Sequence, residues 1–188
     1  MPITGKGWEL HIIRKEEQRC SSDGKVRTVG RYQLYHDGEK VKAPYASGMT
    51  AEARGPGANR PASNGRRIEA GTYPLATQAG SKYVTHNYSK SLSPKVYPKP
   101  SLEVLKTDQR AEILIHPGIG FLASIGCINL CKSLPRAEEY IDYLPSRDRV
   151  ISIIADLADY LGTSWPKLNG QKIPNAFVVI DGEPTLKK

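Results

Sequence analysis

The chain has 188 residues, of which 39% are hydrophobic and 24% are charged, a composition that fits one globular domain over 1–188 with a buried core. The net charge of +8 favours an anionic partner, such as a nucleic acid, an acidic membrane surface or a cell-wall polymer, without choosing among them. Three cysteines are too few for a disulfide framework, and no run of about 18 apolar residues predicts membrane insertion.

The first residues, MPITGKGWELHII, do not resemble a secretory signal. Charged residues at Lys6, Glu9 and Arg14 interrupt the segment, so it lacks the apolar core that such signals need. We therefore expect the protein to be made in the cytoplasm and any export to use another route.

The first half of the chain predicts short strands. WELHIIR forms one, and VGRYQLYHDGEKVKAPYAS predicts two more around a turn at Asp37 and Gly38. Residues 51–67 lack apolar periodicity and predict a long basic loop, either a binding loop or a solvated one. Strands resume in IEAGTYPLAT and KYVTHNYS, and SPKVYPKPS is a proline-rich linker.

The second half adds two helices to this β pattern. AEILIHPG is nearly all apolar and predicts a central strand. Residues 133–138 predict a short helix with a proline in its first turn. A 3.6-residue apolar period after Ser146 predicts a long helix that Gly162 ends, and AFVVIDG predicts a last strand. The fold class is therefore mainly β (α+β), with one long and one short helix.

A histidine and a cysteine lie close together in ILIHPGIGFLASIGCINL. His116 ends a strand, and Cys127 follows Gly126 in a glycine-rich turn. A thiol with a pKa of about 8.5 is mostly protonated at neutral pH, so an imidazole usually activates it. Backbone N–H groups at 125–127 could face an oxyanion. The residues alone leave two interpretations open, a nucleophilic pair or a core cysteine beside a histidine bonded to backbone.

The HPG and SIGCINL motifs, with NGRRIEAGTYPL upstream, resemble those of the L,D-transpeptidase-like family. Ile125 stands where the main family has histidine, and the interval from His116 to Cys127 is short. Both features resemble the compact branch that contains type VI secretion effectors and phage-associated uncharacterised proteins. The resemblance implies that family's β-sandwich or barrel. It also implies an L,D-carboxypeptidase or L,D-transpeptidase that acts on peptidoglycan stem tetrapeptides, as an antibacterial effector toxin.

The resemblance also implies roles for single residues. Cys127 would be the nucleophile, His116 the general base and Ser124 a positioning residue, while the N–H groups of Gly126 and Cys127 would bind the oxyanion. No metal or other cofactor is implied. The implied partners are peptidoglycan stem peptides, an immunity protein and a secretion apparatus, with action in the periplasm of a target cell.

Other residues are weaker candidates. Arg66 and Arg67 end the basic loop and are predicted to bind substrate carboxylates, unless they are solvated loop arginines. His86 is a candidate orienting partner for the site. Cys131 could join Cys127 and His116 around a metal, but a fourth ligand is missing, and a buried apolar role is favoured.

Two other functions stay open at this stage. A basic nucleic-acid-binding module would explain the charge, although lysine and arginine are spread along the chain and no RNA- or DNA-binding motif is present. A papain-like cysteine peptidase or amidase acting on cell wall is the other alternative. Enzymes of that type usually place the cysteine before the histidine, whereas here the histidine comes first.

Overall fold

The computed structural model describes residues 3–134 and 136–185, which form a mainly β structure with one α-helix. The helix, α1, spans Tyr143–Leu161 and continues into a 3-10 turn at Gly162–Ser164. The strands in chain order are β1 (Trp8–Arg19), β2 (Val26–His36), β3 (Glu39–Lys40), β4 (Ser47–Ala53), β5 (Gly71–Thr77), β6 (Tyr83–Val84), β7 (Lys99–Pro100), β8 (Leu102–Val104), β9 (Ile113–Pro117), β10 (Ile128–Cys131) and β11 (Lys172–Asp181).

Eight of these strands close into a barrel. Their hydrogen-bonded order is β1-β11-β5-β8-β9-β10-β4-β2, and β2 pairs back onto β1. The pairs β1–β11 and β9–β10 are parallel, and the other neighbours are antiparallel. Closure pairs the edges of the sheet and directs alternate side chains into one interior. The predicted mainly β class is confirmed.

α1 covers the end of the barrel where β9 and β10 finish and β1 begins. Its apolar stripe, which includes Val150, Ile153 and Leu157, joins the apolar barrel interior. Ser146 fixes one end of the helix, because its hydroxyl accepts the Gly118 N–H at 2.8 Å and donates to a β10 carbonyl. No helix within the described ranges is long and apolar enough to cross a membrane.

The opposite end of the barrel is polar. Arg14 forms two hydrogen bonds of 2.7 and 2.9 Å to Glu52, and both side chains are fully buried. Arg67 enters from the loop after β4 and pairs with Glu17 at 2.9 Å and Glu183 at 3.0 Å. Removing one partner from a buried ion pair of this kind costs about 3–5 kcal/mol, so these arginines anchor the loop to the barrel.

Several sequence predictions are confirmed. Asp37 and Gly38 have φ angles of 48° and 85° and join β2 to β3 in a tight turn. β9 is buried at every position, as expected of a central strand. α1 begins at Tyr143, earlier than predicted, and ends before Gly162. The long loop also begins later than predicted, because residues 51–53 belong to β4.

The short helix predicted at 133–138 is wrong. The described part of this segment has no helix, and Pro135 lies outside the described residues. Leu134 and Ile141 are instead buried in a second apolar cluster on the outside of β2 and β4, and Ile141 bridges to Gly120. These side chains can cover the outer surface of β2 and β4 only if the chain is extended. This packing outweighs the local sequence preference for a helix.

Candidate active site

His116 and Cys127 lie on the same outer face of two neighbouring parallel strands. β9 and β10 pair Ile115 with Ile128 and His116 with Asn129. Ile115 and Ile128 point into the barrel, so the alternate positions, including His116, point outwards. Cys127 directly precedes Ile128 and lies on the same outer side. The Cys127 sulfur accepts a hydrogen bond from the Leu114 N–H. Leu114 lies two residues, or about 7 Å, before His116 along β9.

Hydrogen bonding fixes the tautomer of His116. Nδ1 lies 2.8 Å from the Pro117 carbonyl, which can only accept, so Nδ1 carries the proton and Nε2 carries the lone pair. Nε2 makes no hydrogen bond to a described residue. Burial lowers the pKa of His116 to about 4, and the positive charge of Lys99 adds to this effect. The imidazole is therefore neutral at pH 7 and can accept a proton.

The thiol of Cys127 is also neutral at rest. Burial raises its pKa, although the Leu114 N–H at 3.4 Å and the charge of Arg110 partly oppose that shift. Sγ lies 3.5 Å from the Glu112 carbonyl, and no hydrogen bond within the described chain joins it to His116. The ring of Tyr83 packs on the imidazole at 4.5 Å between centroids. The thiol and the imidazole are therefore both neutral and are not hydrogen-bonded to each other in this structure.

The turn before Cys127 leaves two backbone donors free. The Ser124 hydroxyl donates to the Cys127 carbonyl at 2.8 Å and shapes the turn. Gly126 has a φ of 114°, and a Cβ there would overlap the Arg110 guanidinium, so both conformation and space require glycine. The N–H groups of Gly126 and Cys127 precede the β10 ladder and donate to no described residue. Such a pair of donors can stabilise an oxyanion.

Arg110 holds this turn in place, and no sequence motif indicates this role. Its guanidinium is buried and donates to the carbonyls of Ala58 at 3.2 Å, Arg66 at 2.8 Å and Ile125 at 3.1 Å, and to Asn64 Oδ1 at 3.0 Å. One arginine thus ties the long loop to the residues before Cys127. In the sequence it follows Thr-Asp-Gln and looks like a surface turn residue.

Of the weaker sequence candidates, the structure brings Arg66 to the turn before Cys127, where a Cβ on Gly126 would lie 3.2 Å from the Arg66 carbonyl oxygen. Arg67 is 1% exposed and belongs to the polar barrel end, so it is not available to a substrate. Arg66 contacts Arg110 through its backbone carbonyl, and no described bond involves its guanidinium. The His86 ring packs edge-on against Trp165 at 5.6 Å, without a described contact to Cys127 or His116.

The other two cysteines lie elsewhere. Cys131 is buried in the second apolar cluster, where burial raises its pKa to about 12. Cys20 is buried beside Ser22, with 3.1 Å between the sulfur and the hydroxyl oxygen. All three thiols are free. The described residues contain no cluster of histidine, cysteine and carboxylate side chains that could hold a metal ion.

A groove of about 710 Å³ adjoins the turn before Cys127. Ile125, with 79% of its surface exposed, contributes an apolar wall. Its charged lining comes from basic residues, namely Arg19, Lys25 and Arg54. A mixed apolar and basic groove suits an anionic peptide with small side chains.

Comparison with known proteins identifies no relative of this chain. No protein-family model matches it, and neither the curated proteins nor the solved structures contain a significant match.

Proposed function

We propose that the protein is a cysteine-dependent L,D-carboxypeptidase or L,D-transpeptidase that acts on peptidoglycan stem tetrapeptides. The observation that carries the proposal is the placement of a neutral His116, with Nε2 unpaired, on the same outer face as Cys127 and its two free N–H donors. The sequence motifs around both residues support the choice of substrate. We propose the barrel as a compact form of the L,D-transpeptidase-like fold.

In the acylation step, the sulfur of Cys127 attacks the carbonyl carbon of the third stem residue. The thiol proton passes to Nε2 of His116 as the C–S bond forms. The carbonyl oxygen becomes an oxyanion that accepts hydrogen bonds from the N–H groups of Gly126 and Cys127. When the C–N bond breaks, the imidazolium gives its proton to the departing amine of D-alanine, and a thioester remains.

In the second step, His116 takes a proton from the incoming nucleophile. Water then releases the tripeptide, which completes a carboxypeptidase reaction. The amine of a D-amino acid completes an exchange, and the amine of a neighbouring stem completes a cross-link. In each case the sulfur of Cys127 leaves and recovers its proton from His116.

We expect the purified protein to convert tetrapeptide muropeptides to tripeptides with release of free D-alanine. Liquid chromatography with mass spectrometry would detect both products, and added D-methionine would show exchange as a new tetrapeptide. A stem peptide that ends in L-alanine is the matched control and should stay intact. Unchanged tetrapeptides at high enzyme concentration would overturn the proposed activity.

We further propose that the protein is an antibacterial effector, delivered by a secretion apparatus and neutralised in its producer by an immunity protein. Polymerised wall carrying tetrapeptides lies outside the inner membrane. Expression in the cytoplasm should therefore be tolerated, whereas fusion to a periplasmic signal should slow growth. The fusion with Cys127→Ala should grow normally, and equal damage by both fusions would contradict a catalytic toxin.

A further inference from the structure

A lysine without an acidic partner lies one residue away from the imidazole of His116, because Lys99 pairs with Tyr83 in the β6–β7 ladder and the Tyr83 ring packs on His116. Lys99 is only 7% exposed, and its Nζ has neither a hydrogen-bond acceptor nor a carboxylate within the described residues. Its neighbours are aromatic rings, with the centroid of Tyr97 at 4.6 Å and that of Tyr143 at 5.3 Å. Aromatic rings offset only part of the free-energy cost of burying an ammonium group, so the site lacks a negative charge that would balance Lys99.

Two tyrosine rings flank the ammonium of Lys99, and a third connects it to His116. Tyr83 pairs with Lys99 in the β6–β7 ladder, packs on His116 at 4.5 Å and meets Tyr97 edge-on at 6.4 Å. We call Tyr83, Tyr97 and Tyr143 the tyrosine cage. Through Tyr83 the cage adjoins His116.

The nearest helix end gives Lys99 no ion pair. Tyr143 is the first residue of α1, and the first turn of this helix has no acidic residue. Asp142 at the N-cap carries a carboxylate, but within the described residues it makes neither a capping hydrogen bond nor an ion pair with Lys99.

Lys99 and His116 keep only a small contact with solvent, with 7% and 2% of their surfaces exposed. Fully enclosed side-chain atoms without a partner occur in the described chain at Thr50, Arg67, His86 and Ser101. Lys99 Nζ and His116 Nε2 also lack a partner, but neither belongs to that enclosed set.

A second buried cation nearby is already engaged. Arg147 lies one turn along α1 from Tyr143, donates to the Ser89 carbonyl at 2.9 Å and lies 5.9 Å from the ring of Tyr88. Lys99 is consequently the cation available to a ligand.

We infer that Lys99 and the tyrosine cage bind the free α-carboxylate of the substrate's last residue. The inference rests on the proposed function. His116 must protonate the amine of the leaving D-alanine, and a single carbon separates that amine from the carboxylate. We expect the carboxylate just beyond the imidazole, on the side of Tyr83, with which Lys99 pairs. The low exposure of Lys99 would strengthen the ion pair. The site would select peptides cleaved at their last residue.

Two peptides that differ only in this group test the inference. The wild-type protein should cleave a tetrapeptide acid with kcat/KM about 10- to 100-fold above that for its C-terminal amide. Lys99→Met keeps a buried apolar chain and removes the charge. Its kcat/KM for the acid should therefore fall by this same factor, whereas its kcat/KM for the amide should change little. Lys95→Met removes an exposed lysine from the same segment and should change neither value. Equal losses for acid and amide in Lys99→Met would overturn the inference.

A binding experiment separates this inference from the proposed activity. N-acetyl-D-alanine titrated into the protein should cause saturable shifts in the NMR signals of His116 and Tyr83, whereas its amide should not. Lys99→Met should abolish the response. If neither peptide is cleaved, the proposed activity fails, but saturable binding still supports the carboxylate site. Absent saturation, or an equal response in Lys99→Met, overturns it.

Discussion

Replacement of Cys127 by alanine should reduce D-alanine release from tetrapeptide muropeptides by on the order of 10⁴-fold or more. The reason is that no other thiol lies next to His116 and the free N–H groups. Cys131 also faces outwards from β10, but it is buried within the second apolar cluster, where its sulfur lies 3.3 Å from the Met49 carbonyl. The loss should appear in kcat, because the thiol forms the covalent bond of the transition state.

Cys131→Ala and Cys20→Ala are the matched controls for this prediction. Both remove a buried thiol and should retain most activity, at a modest cost in stability. Mass spectrometry of the intact protein during turnover should show the peptide attached to the wild type and to both controls, but not to Cys127→Ala. Release of D-alanine by Cys127→Ala within tenfold of wild type would exclude a cysteine nucleophile at this site.

The sequence predicted those parts of the fold that depend on local pattern. Neighbouring residues alone predict three features, namely the buried run in β9, the turn at Asp37 and Gly38 and the helical period of α1. The closeness of His116 and Cys127 follows from a short connection between two parallel strands. Barrel closure has no local signal, because it depends on β1 pairing with residues that lie 168 positions later in the chain, as Trp8 does with Ala176.

The side chains whose roles the sequence does not reveal have distant partners. Arg67 was predicted to bind substrate, but its carboxylate partners, Glu17 and Glu183, lie near opposite ends of the chain. Lys99 lies in the proline-rich linker, and its ammonium packs against the first residue of α1. Arg110 gains its role from carbonyls in two separate loops. These contacts join residues that are far apart in the chain, so no local pattern predicts them.

Replacement of His116 by glutamine should lower kcat/KM by about 10²- to 10⁴-fold, the usual cost of removing a general base. Glutamine keeps a hydrogen-bond donor of similar size but cannot take the thiol proton at neutral pH. Because burial raises the Cys127 pKa, the residual rate should rise with pH through the range in which the thiol ionises. His86→Gln is the control, since His86 makes no described contact with the pair. Loss of activity in His86→Gln alone would make that residue the base.

The same histidine should give the protein a distinctive acid sensitivity. The pKa of His116 is about 4 when folded, against 6.5 for the ordinary side chain, so the unfolded chain binds the additional proton between these values. The free energy of unfolding should therefore fall as pH drops from 6.5 towards 4, by about 3 kcal/mol in total from this group. Activity should show an acid limb near pH 4 and stay level above about pH 5 until the thiol ionises.

Urea unfolding at a series of pH values would measure how the free energy of unfolding falls with pH. His116→Gln should lose this slope between pH 6.5 and 4, since glutamine does not titrate. An identical slope in wild type and variant would mean that His116 is not held neutral by burial, and the neutral thiol–imidazole pair would then be wrong.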